Sequence, residues 1–190
     1  MAIKYSKNEI LEMIENAKFD IRSFYKQDFV NYAGKTKDSK EYYTEIIAEW
    51  LLSHVDLFNK IKLINREGSY RIESHDGKII NQESNRAEEK IAMKLFDYSQ
   101  NKGEIFDKIG KIIDYQIPLK NIQTDDAGKI DLLAYNEDTD TLRILELKKS
   151  DSKETMLKCL LEVYTYLKIV NKVKLLKDFG LPKDTIVKAS

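Results

Sequence analysis

The chain has 190 residues, 42% of them hydrophobic and 34% charged, which is enough apolar material for one good-sized core, with or without a small appendage. Its 32 Lys and Arg balance 32 Asp and Glu, so there is no global nucleic-acid footprint, and the single cysteine, Cys159, excludes an intrachain disulfide and a thiolate metal cluster. No apolar run approaches the roughly 18 residues that span a bilayer, and Met1 to Lys7 has no signal-type apolar stretch, so a soluble cytoplasmic protein without a membrane partner is expected.

Charge is uneven along the chain. From Lys148 to Ser190 there are 10 Lys and 5 acidic residues, a net of +5, which leaves −5 for the remainder. That basic tail reads either as a solvated helix face or as a phosphate-tracking surface.

Ser6-Lys7-Asn8-Glu9 has the form of a capping box, and Ile10, Met13, Ile14, Ala17, Ile21 and Phe24 follow at helical spacing. The pattern predicts a first helix from about Ser6 to Tyr32 and, beyond a polar linker, a second from about Ser39 to Leu57. Lys62–Asn65 and Tyr70–Glu73 flank Arg66-Glu67-Gly68-Ser69 as a hairpin. A third helix is expected to open at Ser84 or Asn85 and to stop near Gly103. Strands are expected over Ile112–Leu119, Lys129–Asn136 and Leu142–Lys149, with a long helix over about Ser152–Asn171. Thr185–Ala189 reads as the beginning of a further strand, either short or cut by the end of the sequence.

Two of these strands carry charge where apolar residues are the rule. Asp131 is embedded in Gly128–Tyr135, and Glu146 and Lys148 share one face of Thr141–Lys149. Burying charge is expensive unless it is paired or binds a metal. In a symmetric hairpin closing over Glu137–Asp140, or more tightly at Asp138-Thr139, Asp131 falls opposite Glu146 with Cβ atoms roughly 4.5–5.5 Å apart. Two carboxylates at that spacing suit one hard divalent cation, and an adjacent ammonium suits phosphodiester hydrolysis. Zinc is disfavoured, because neither His nor Cys is near. The alternative is a structural ion pair, with Lys148 neutralising Asp131 or Glu146.

The set Gly128-Lys129-Ile130-Asp131, then Glu146-Leu147-Lys148, resembles the motif of the PD-(D/E)XK nuclease superfamily, with Ile130 in place of the proline. The order helix, strand, Asp strand, acid–X–Lys strand, helix, strand is also similar to that family. The resemblance covers about Ser84 to the C-terminus. It implies an α/β (α+β) restriction-endonuclease-like core at 82–190, a mixed sheet flanked by helices, whose last strand is short or lacking. Residues 1–81 would be an N-terminal helical elaboration with a small β-hairpin, packed on that core and serving substrate choice or dimerisation.

It further implies Mg2+ (with Mn2+ as substitute) held by Asp131, Glu146 and the Leu147 backbone carbonyl, with Lys148 positioning the attacking water. The family often adds a glutamate from the preceding helix. Advancing about 100° per residue puts Glu88 inside the apolar arc of Ile91, Ala92, Leu95 and Phe96, and Glu89 on its edge. Glu88 is therefore the candidate, the alternative being a carboxylate snorkelling at a fraying first turn. Glu162 and Tyr166 have the spacing of a Gln-X-X-X-Tyr set found in some relatives, but Leu157, Leu160, Leu161, Tyr164 and Leu167 mark the inner face, which sets Glu162 aside.

Gly34-Lys35-Thr36 lacks the earlier glycine of a phosphate loop, and the acidic turn Asn136–Thr141 fails the calcium-loop pattern at its sixth and twelfth positions. His54, His75 and Cys159 read as structural or solvent-facing. The N-terminal aromatics, Phe19 among them, read as core more readily than as a base-stacking surface.

The leading expectation is a Mg2+-dependent deoxyribonuclease, with RNA as substrate and a homodimeric state left open. The alternatives are a catalytically inactive module of the same fold that binds nucleic acid or protein, and an interaction protein acting through its N-terminal helices.

Overall fold

The computed structural model describes residues 4–77, 86–121 and 127–190. Its contacts group the chain into two units, Met1–Lys62 with Lys153–Lys168, and Leu63–Ser152 with Ile169–Ser190. The boundary expected at Asn81 and the helix start expected at Ser84 or Asn85 lie outside the described residues. The grouping runs differently from a cut at 81, since most of the long C-terminal helix goes with the N-terminal segment. Among the described residues no helix is long and apolar enough to cross a membrane.

In the first unit, α1 (Lys7–Ala17) opens on the expected capping box. The Ser6 hydroxyl accepts from the Glu9 amide at 3.2 Å, and the Glu9 carboxylate accepts from the Ser6 amide at 2.6 Å. The Lys37 ammonium at 2.7 Å and the two Ser6 donors hold the Glu9 carboxyl down to about 2. The single helix expected to Tyr32 is not formed. After Ala17 the chain tightens into 3-10 segments at Lys18–Lys26 and Asp28–Asn31, with a kink at Asp20 (φ −120°, ψ 70°). Asp20 causes the break by turning its carboxylate onto the Ser23 amide at 3.3 Å, a side-chain cap that competes with the helical ladder.

Helix α2 is Tyr43–Ser53, followed by a 3-10 segment at Val55–Lys60. Ile10, Ile14, Phe24, Ile47 and Val30 are fully buried in this unit. Helix α4 (Met156–Ile169) completes it, Thr155 donating its amide to Asn31 Oδ1 (2.7 Å) and its hydroxyl to the Val30 carbonyl (2.8 Å), with Tyr166 edge-on to Tyr25. The inner face of α4 is displaced from the expected one: Cys159, Val163 and Tyr166 are buried, whereas Leu160 is exposed.

The second unit is built on a four-stranded mixed sheet in the order β1 (Lys111–Pro118), β2 (Lys129–Asn136), β3 (Thr141–Leu145), β4 (Ile186–Ala189). The first three strands are antiparallel, and β4 runs parallel to β3. Helix α3 (Ala87–Asn101) lays Ala92 and Phe96 on the sheet face formed by Ile112, Tyr115, Leu132 and Ala134. A short helix α5 spans Lys172–Asp178. The chain is thus a mixed α+β protein.

Gly110 fixes the start of β1. It has φ +95°, and a Cβ there would lie 2.2 Å from the Tyr135 carbonyl oxygen, so only glycine fits.

The hairpin expected over 62–73 is absent. Its backbone donors go to distant partners: the Ile64 amide to the Ile169 carbonyl (2.9 Å) and the Tyr70 amide to Asp178 Oδ2 (2.8 Å). With the amides engaged elsewhere, no cross-strand ladder forms. The expected terminal strand does form, as β4. Its attachment is the β2–β3 turn, where Asp140 (φ +41°) accepts from Tyr135 Oη at 2.8 Å and Thr185 Oγ1 at 2.6 Å, and its carbonyl takes the Ile186 amide at 3.0 Å.

Candidate functional site

The β2–β3 ladder pairs Asn136 with Thr141 and steps regularly to Leu132 with Leu145. This closes the loop over Glu137–Asp140, and the ladder ends at Leu132 with Leu145, one residue short of Asp131 and Glu146. The strand reading to Lys149 needs correcting, because β3 ends at Leu145 and residues 146–149 lie beyond it. Asp131 accounts for the ending. Its Oδ2 accepts from the Leu147 amide at 2.9 Å, so a side chain takes a donor that a longer ladder would use.

Leu132, Ala134, Leu145 and Leu147 pack toward α3, so the alternation of β2 places Asp131 toward the other face. Glu146 Oε1 lies 2.9 Å from Lys148 Nζ, with the two side chains 6% and 19% exposed. Glu88, in the first turn of α3, reaches the same stretch from the helix, its Oε1 accepting from the Lys149 amide at 3.4 Å. Glu89 turns instead to Arg86 at 3.2 Å. Asp131 thus bonds the Leu147 amide and Glu88 the Lys149 amide, while Glu146 and Lys148 pair with each other. The arc of α3 differs from the expected one in detail, for Ile91 is exposed while Ala92, Phe96 and Ser99 are buried.

Gln116 was not among the sequence candidates. It stands opposite Asp131 in the β1–β2 register and donates its Nε2 to Asp131 Oδ1 at 2.8 Å, so Asp131 is gripped from both sides. It does so from φ +49°, a backbone region that a non-glycine residue enters only when its surroundings require it. A polar residue inside the apolar run Ile112–Ile117 was the available signal. Nearby, β1 is bulged between Ile112 and Asp114. Buried Asp114 accepts from His75 Nδ1 at 2.6 Å, and His75 stacks on Tyr115 with ring centroids 4.0 Å apart. Burial raises the Tyr115 phenol above its ordinary pKa. His75 thus fastens the segment before α3 to β1.

Among the described residues no three His, Cys, Asp or Glu side chains are grouped so as to hold a metal ion. The donors on residues 131, 146 and 147 are all oxygens, of the hard type that Mg2+ accepts. Glu146 already holds a cation in Lys148, so metal binding there would exchange one positive charge for another. Glu162 lies in the first unit, its Oε1 accepting from Tyr166 Oη at 2.8 Å within α4. His54 is an exposed residue stacked on Trp50 at 4.0 Å. Comparison with protein-family models, curated proteins and solved structures gave no match.

Proposed function

We propose that the chain is a divalent-metal-dependent nuclease with a restriction-endonuclease-like core, hydrolysing phosphodiester bonds in DNA. The observation that supports this reading is Asp131 holding the Leu147 amide between the two members of the buried Glu146–Lys148 pair. Asp131, Glu146 and the Leu147 carbonyl would hold Mg2+, with Glu88 in support. The ion, when bound, supplies phosphoryl polarisation and a bound water of lowered pKa.

The chain's own groups do the positioning. Gln116 and the Leu147 amide fix both oxygens of Asp131, which limits the rotamers the carboxylate must lose on binding. Lys148, released from Glu146, carries the positive charge that opposes the charge developing on the phosphoryl group.

The test is cleavage of plasmid and single-stranded circular DNA by the full chain in Mg2+ or Mn2+. Cleavage is expected, with a loss on the order of a hundredfold in Lys148→Ala and a loss at least as large in Asp131→Ala. Retained cleavage in both variants overturns the assignment.

A second reading, a catalytically inactive binding module of the same fold, is favoured by the closed Glu146–Lys148 pair and the two hydrogen bonds already made to Asp131. It predicts no calorimetric heat with Mn2+ that depends on Asp131.

A further inference from the structure

The kink at Asp20 has a result on the surface of the first unit. Phe19, just before it, is left 86% exposed, although Phe24 and Phe29 on the same stretch are buried. Phe19 stands at a groove of about 430 Å³ between the 3-10 segment Lys18–Lys26 and the end of Val55–Lys60. The charged residues lining that groove are Lys18, Arg22, Lys60 and Lys62, against Asp20 alone.

The carboxylate of Asp20 is engaged with the Ser23 amide, and Lys18 pairs with Glu15. Among the described residues Arg22, Lys60 and Lys62 have no ion-pair partner. A chain with zero net charge has here gathered positive charge beside an aromatic ring in water.

We propose that this groove binds single-stranded nucleic acid, Arg22, Lys60 and Lys62 following the phosphates while Phe19 stacks on a base. The exposed ring decides between occupants. A sulfated polysaccharide, or an acidic peptide without aromatic side chains, would use the cations but offers no π-face to Phe19. A duplex would hide its base faces within the stack, whereas a single strand presents both phosphates and bases. The groove lies in the first unit and the strand-end carboxylates in the second, so the proposal stands on its own observations.

The experiment is fluorescence anisotropy with the full chain, a labelled 20-nucleotide oligothymidylate and a 20-base-pair duplex, in EDTA so that no metal-dependent cleavage intervenes. The single strand is expected to bind more tightly than the duplex, with a log–log salt slope of about −2 to −3. Phe19→Ala and Phe19→Leu should each weaken binding roughly tenfold, with Phe19→Trp retaining it and the salt slope unchanged. Arg22→Gln with Lys60→Gln should flatten the slope by about 1.4. Unaltered binding in Phe19→Ala, or a duplex bound as tightly as the single strand, overturns the proposal. Phe19 is exposed, so unchanged melting temperatures in its variants separate lost binding from lost folding.

Discussion

Removing the ammonium of Lys148 takes away the cation 2.9 Å from a carboxylate that is only 6% exposed. Breaking such a pair on one side is strongly unfavourable, so Lys148→Ala should destabilise the chain by about 3 kcal/mol in guanidinium unfolding. The double change Glu146→Leu with Lys148→Met should recover most of that loss, because a well-packed apolar pair needs no desolvation. A neutral Lys148→Ala would show that the pair is solvated in practice. Loss of cleavage in that variant is therefore to be read beside its stability.

Glu9 provides a separate test against pH. Its carboxyl titrates at about 2 in the folded chain against an ordinary 4.5, first through Lys37 and then through the two Ser6 donors. A lowered folded value means the contribution is complete above 4.5 and disappears as pH falls toward 2. Melting scans should show wild type ahead of Glu9→Gln at pH 6, with the difference closing between pH 4.5 and 2.

At the scale of elements, the strands were more legible than the helices. The β2–β3 register from Leu132 with Leu145 to Asn136 with Thr141 followed from a polar turn between two runs of alternating residues, because a period of two leaves few alternative pairings. The end of β3 was not legible, since it depends on a side chain, Asp131, capturing the Leu147 amide. The break in the first helix was hidden for a different reason. Ile21 and Phe24 are spaced by three, which fits a 3-10 turn as well as an α-helix, and Asp20 looked like any polar position. Gln116 was marked in the sequence only as a polar residue in an apolar run, and its role needed the β1–β2 register and a positive φ to become clear. Gly110, by contrast, is a direct test of the β1 start. Gly110→Ala should lower stability by about 3 kcal/mol, measured by urea unfolding, since it adds both a strained φ and a clash with Tyr135.

Over the whole molecule, sequence order and spatial grouping part company. The first unit consists of two stretches separated by about half the chain, and α4 belongs with a segment more than 90 residues earlier. A chain beginning at residue 82 would strip α4 of Tyr25 and Phe58, and the Thr155 that leads into it of Val30 and Asn31. Such a truncation is expected to associate on size exclusion and to show lowered helical circular dichroism. A monomeric, fully helical product would mean that α4 is held by other contacts. Hydropathy and periodicity find helices one at a time, so they gave the existence of α4 but not its company.

Asp140 sets an order of assembly. The β2–β3 hairpin closes over four residues, whereas β4 must be brought back across more than forty, which adds about 2 kcal/mol of loop-closure entropy. The groups that receive β4 at that corner, the Asp140 carboxylate and carbonyl, acquire their positions only when the turn has closed with its positive φ. The parallel strand is thus expected to dock on a finished hairpin, which hydrogen exchange would show as weaker protection of the β4 amides than of those between β2 and β3.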